Sequence, residues 1–63
     1  MLSDRTALLI IRAWTEQDSP EPLRANIRLT TDVTTGFQRS LTLARPDGIK
    51  AEVDAWLHEI QTN

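Results

Sequence analysis

Cysteine is absent from this chain of 63 residues, and it has only two Gly, one His, one Lys, two Trp and one Phe. Without cysteine there is no disulfide and no thiolate metal centre, and one imidazole cannot supply the three or four protein ligands of a zinc site. No metal and no cofactor are expected. Gly36 and Gly48 stand too far apart to build a phosphate-cradling loop, and no serine sits at a strand–turn–helix elbow, which excludes nucleotide enzymes and triad hydrolases. The longest apolar run, Ala7 to Ile11, is far short of the roughly 18 residues a membrane span needs. Asp4 and Arg5 precede that run with no signal-type cleavage site, so a cytoplasmic protein with no membrane contact is the expectation.

Charge of one sign is lacking too. Seven Lys+Arg stand against nine Asp+Glu, for a net charge of −2, and a dedicated nucleic-acid binder is more often basic. The charge is unevenly spread: residues 46–63 hold four acids and one Lys, net −3, whereas residues 1–45 hold six Arg and five acids, net +1.

The length allows a single small domain over residues 1–63. A domain of this size hides only about 60% of the surface its unfolded chain exposes, and burial then barely offsets conformational entropy. Small domains usually add a staple, and with disulfides and metals removed the common one that remains is oligomerisation.

What is present reads as three strands and a helix. Thr6 to Thr15, TALLIIRAWT, is apolar and rich in β-branched and aromatic residues, and it ends in the loop cluster Glu16-Gln17-Asp18-Ser19-Pro20-Glu21-Pro22. Next, Leu23, Ala25, Ile27, Leu29, Thr31 and Val33 alternate with Arg24, Asn26, Arg28, Thr30 and Asp32, the period of a half-buried strand. After Thr34-Thr35-Gly36 a third run sets Phe37, Arg39, Leu41 and Leu43 against Gln38, Ser40, Thr42 and Ala44, so the second and third strands should form a hairpin. Pro46-Asp47-Gly48 breaks that strand, with Asp47 placed to accept a first-turn N–H. Ile49, Val53, Trp56, Leu57 and Ile60 then recur at helical spacing, which predicts a helix from about Asp47 to Gln61. The expected fold is α+β, a three-stranded antiparallel meander with one C-terminal helix packed on one face, in the order β-β-β-α. Ala25, Ile27, Leu29, Leu41, Leu43 and Phe37 are its expected core, covered by the apolar stripe of the helix.

The first strand breaks the rule of its neighbours, because both of its parities are apolar. Ala7, Leu9, Ile11 and Ala13 are expected to face the helix, leaving Leu8, Ile10 and Trp14 outward around Arg12. One helix cannot cover both sides, and an uncovered apolar stripe of this kind marks an interface. The leading expectation is a non-enzymatic protein-interaction module, a homodimer through the first strand and the uncovered sheet face, with Leu8, Ile10, Arg12 and Trp14 as contacts.

Other chemistry is weaker. His58 follows Asp54 by one helical turn, a spacing that can orient an imidazole but also one that solvent-facing helix positions routinely show. Asp47, Glu52, Asp54 and Glu59 make the helix acidic, which reads as a solubilising face rather than as paired catalytic carboxylates. Arg24 and Arg28 share the polar back of the second strand with Asn26 and Thr30, and Arg12 lies beside them. Three-stranded sheets can read DNA grooves with such side chains, so nucleic-acid binding through Arg12, Arg24 and Arg28 is the alternative. The simpler reading pairs these arginines with acids of the loop 16–21 or lays their stems over apolar surface. The double-stranded RNA domain also ends in β-β-β-α, but its leading helix is missing here, and Pro46-Asp47-Gly48-Ile49-Lys50 replaces the basic cluster that opens its last helix.

The apolar strand ending in Ala13-Trp14, the segment Leu23-Arg24-Ala25-Asn26-Ile27-Arg28 and the helix Val53-Asp54-Ala55-Trp56-Leu57-His58-Glu59-Ile60 together resemble short uncharacterised bacterial proteins of this length. That resemblance implies the β-β-β-α outline and carries no activity.

Overall fold

Alternation along Leu23-Arg-Ala-Asn-Ile-Arg-Leu-Thr puts one apolar and one polar row on opposite faces of an extended chain, and this segment is the centre of the sheet. A computed structural model describes residues 5–62; residues 1–4, Asp4 among them, and Asn63 lie outside the described residues. Strands β1 (Leu8–Thr15), β2 (Leu23–Thr30) and β3 (Arg39–Leu43) precede helix α1 (Pro46–Thr62). The sheet runs β1-β2-β3 and both pairings are antiparallel, with Ile11 opposite Ile27 and Ile27 opposite Leu41. The β-β-β-α meander expected from the sequence is the fold observed.

Its segment boundaries differ from those expectations for local reasons. β1 starts at Leu8 rather than Thr6, and β2 stops at Thr30 instead of running to Val33. There Asp32 caps a 3₁₀ turn over Val33–Thr35, accepting from the Thr34 N–H at 3.0 Å, while the Thr30 hydroxyl donates to the Asp32 carbonyl at 2.9 Å. Gly36 leaves that turn at φ 77°, and the chain becomes β3 only at Arg39. Phe37 is consequently not core: it is 39% exposed and lies beside Leu8, Thr30 and Val33 on the opposite side of the sheet from α1. The helix begins at Pro46, a residue suited to a first helical position because it lacks an N–H. The Ile49 N–H reaches the Arg45 carbonyl at 3.2 Å, so Asp47 sits inside the first turn rather than ahead of it as the cap. Between β1 and β2, Asp18 takes φ 66°, a left-handed conformation that Asp tolerates, and the Glu16 N–H closes the loop on the Pro22 carbonyl at 2.7 Å.

Helix α1 doubles back along the sheet. Gly48 lies near Leu43, Glu52 bonds Arg39 at 2.6 Å, and the Trp56 indole N–H donates to the Thr30 carbonyl at 3.0 Å. This path lays Ile49, Val53, Trp56 and Ile60, all half-buried, over β2 and β3. Ala25, Ile27 and Leu29 are buried beneath them, and Leu41 and Leu43 are half-buried. Leu57, expected in the covered stripe, is instead exposed.

Cover is missing at β1. Register places Leu9, Ile11 and Ala13 on the α1 side, as expected from parity, yet Ile11 remains 44% exposed and Ala13 is exposed. The radius of gyration is 14.0 Å, against about 11 Å for a compact chain of this length.

Candidate interaction surface

The side of the sheet away from α1 is laid out by the β1–β2 register. Leu8, Ile10, Arg12 and Trp14 stand opposite Thr30, Arg28, Asn26 and Arg24, and Ser40 and Thr42 of β3 continue the rows of Arg28 and Asn26. The sequence-based assignment of Leu8, Ile10, Arg12 and Trp14 to one uncovered face therefore matches their positions. Leu8 is 41% and Ile10 45% exposed; Trp14 is half-buried, with the Arg12 guanidinium 5.1 Å from its ring centre.

The three arginines of this face are not equivalent. Arg24 is taken up by the proline loop: its Nε stands 3.3 Å from Glu16 Oε1, and its guanidinium donates to the Glu21 and Leu23 carbonyls and to the Ser19 hydroxyl. Arg28 lies over the Phe37 ring, 4.5 Å from its centre. Among the described residues neither Arg12 nor Arg28 has a carboxylate partner. Asn26 is also engaged, donating to the Leu41 carbonyl at 3.3 Å. The face thus offers two free guanidinium groups on either side of exposed Ile10.

At one end, Leu8, Thr30, Val33, Gly36 and Phe37 line a cavity of about 120 Å³. Small-molecule sites run to roughly 300–1,000 Å³, and this hollow is smaller. Asp32 beside it is held below the usual carboxylate range, first by the Thr34 hydroxyl, which donates to it at 2.7 Å, and then by the Thr34 N–H.

The remaining candidate groups do not converge. Asp54 and His58 are both exposed on α1 and share no hydrogen bond. Among the described residues no group of three or more His, Cys, Asp or Glu is arranged to hold a metal ion. Glu52, read from sequence as part of a solubilising face, is instead the partner of Arg39. A signal for that pair existed: Arg39 is the one charged residue in the apolar row Phe37, Arg39, Leu41, Leu43, which means something on α1 must receive it. Nothing in the sequence placed Phe37 beneath Arg28.

No helix among the described residues is long and apolar enough to cross a membrane. Compared with known proteins, the chain matches no family model, no curated protein and no solved structure.

Proposed function

We propose that this chain is a non-enzymatic interaction module that works as a homodimer, joined through β1 and the sheet face that α1 leaves open, with Leu8, Ile10, Arg12 and Trp14 as contact residues. One observation carries the reading: an edge strand holds large exposed apolar side chains on both faces, Leu8 and Ile10 on one and Ile11 on the other. Isolated exposed apolar residues are ordinary, but Leu8 and Ile10 are neighbours on one face of an edge strand whose other face also exposes Ile11. The area agrees. The chain exposes 4856 Å², more than a compact protein of its mass. A cytoplasmic setting suits a chain without cysteine.

Light scattering over a wide concentration range tests the proposal. The expected result is a mass twice the 7.1 kDa of the chain, returning to the monomer value in Trp14→Glu with the helical circular-dichroism signal retained. A wild-type mass that stays at the monomer value at every concentration, or an unchanged dimer in Trp14→Glu, overturns the assignment.

Nucleic-acid binding through the sheet arginines is the second reading, and the free, ring-stacked guanidinium groups of Arg12 and Arg28 favour it. Arg24, engaged with Glu16, falls outside that pair. Binding of this kind must be salt-sensitive and weakened by Arg28→Ala; no binding at low salt, where phosphate contacts are strongest, removes the reading.

A further inference from the structure

The geometry points to antiparallel pairing of β1 with β1 of a second copy, in the register that places Ile11 opposite its own counterpart on the two-fold axis. This rests on the homodimer proposed above and specifies how it is built.

The unpaired edge is identified by the ladder on the other side. The Glu16 N–H bonds the Pro22 carbonyl, and those two residues continue the β1–β2 register. Hydrogen-bonded pairs alternate along an antiparallel ladder, so Leu8, Ile10, Arg12 and Trp14 turn their backbone groups toward β2. Leu9, Ile11, Ala13 and Thr15 turn theirs outward, to an edge that no strand among the described residues occupies.

Two-fold pairing along that edge must match odd-numbered residues with odd-numbered ones, and this restricts the choices sharply. Only two registers keep seven residues of β1 in the new ladder. One sets Ile11 opposite Ile11, and the other sets Arg12 opposite Arg12. The second brings two free guanidinium groups into a non-hydrogen-bonded pair, where side chains approach most closely, and like charges directly opposite are destabilising. Arg12 therefore selects the first.

The selected register also gives the residues of β1 neighbours along the edge that the monomer lacks. Trp14 stands opposite Leu8 of the second copy, and the stem of Arg12 stands opposite Ile10 of the second copy, so that both exposed apolar residues of the open face gain a neighbour. On the α1 side Ile11 meets Ile11, and Leu9 meets Ala13. Packing the two sheet backs face to face would instead bring Arg12 and Arg28 of both copies together, with Glu16 already engaged by Arg24. Edge pairing keeps those groups at the surface and yields a six-stranded sheet with both helices on one side.

The absence of cysteine makes the test direct. Ile11→Cys alone, and Leu9→Cys mixed with either Ala13→Cys or Thr15→Cys, are oxidised and run on non-reducing gels, with light scattering of the unmodified protein alongside; every variant keeps Arg12. Opposed residues in a hydrogen-bonded pair have Cα atoms about 5.5 Å apart, within disulfide reach. The Ile11 register sets Leu9 opposite Ala13, and the Arg12 register sets Leu9 opposite Thr15. The expected outcome is cross-linked dimer for Ile11→Cys, and at least a tenfold higher heterodimer yield with Ala13→Cys than with Thr15→Cys. Preferential cross-linking with Thr15→Cys, or a dimer by light scattering that neither Ile11→Cys nor the Ala13→Cys mixture traps, overturns the register and leaves the homodimer standing. A monomer at all concentrations overturns both.

Discussion

The indole N–H of Trp56 donates to the backbone carbonyl of Thr30 at 3.0 Å, tying the second half of α1 to the end of the central strand. Thr30 is itself buried, with its hydroxyl engaged by the Asp32 backbone, so the carbonyl has one side-chain donor and little access to water. Few other contacts hold the helix down. Among the described residues its other long-range polar tie is the Arg39–Glu52 pair, which is half-exposed and of a kind that contributes only about 0.2–1 kcal/mol.

Trp56 should accordingly be the most sensitive position of the helix. Trp56→Phe keeps most of the ring and loses the bond, for an expected cost of about 1 kcal/mol, whereas Trp56→Ala also empties the space over β2 and costs about 3 kcal/mol. Urea unfolding followed by circular dichroism separates the two. Equal losses in both variants would show that packing alone, and not the hydrogen bond, anchors the helix.

The two glycines should respond in opposite directions. Gly36 sits at φ 77° and ψ −176°, a region nearly closed to other residues, so Gly36→Ala is expected to cost about 1–3 kcal/mol although a Cβ there meets nothing within 4 Å. Gly48 lies inside α1, and a Cβ there makes an ordinary 3.7 Å contact with Leu43. Gly48→Ala should therefore stabilise the chain by up to about 1 kcal/mol through helix propensity. Urea midpoints measure both, and a shift of the same sign in the two variants contradicts the backbone assignment.

Acid should weaken the 3₁₀ turn. Bonds from Thr34, with a smaller contribution from Arg5, depress the folded-state pKa of Asp32. A depressed carboxylate contributes stability above its ordinary range, and that contribution disappears as pH falls through the folded value. Asp32→Ala should thus be less stable than the parent at neutral pH, and the gap should shrink in strong acid. Comparing urea midpoints at about pH 7 and pH 3 reads this directly; a gap independent of pH would mean that the carboxylate charge is immaterial.

Much of this molecule was legible in its sequence because the relevant forces are local. Strict alternation from Leu23 to Thr30 reads as a half-buried central strand, and helical spacing from Ile49 to Ile60 reads as one amphipathic helix, since side-chain direction follows directly from backbone period. Apolar residues on both parities of the first strand likewise announced a surface that one helix cannot cover. The placement of Leu8, Ile10, Arg12 and Trp14 on one face required nothing beyond that alternation.

Tertiary structure decided the rest, where a side chain chooses among distant partners. Phe37 has the parity of Leu41 and Leu43, but Gly36 turns the chain and delivers the ring beneath Arg28. Arg24, Arg28 and Arg12 are alike in sequence, and only the fold brings Glu16 to the first while leaving the other two stacked on rings. The course of α1 over β2 and β3 is set by Trp56 meeting Thr30 and Arg39 meeting Glu52, contacts between residues 26 and 13 positions apart that no local period encodes. That course leaves β1, an apolar strand, open on both faces.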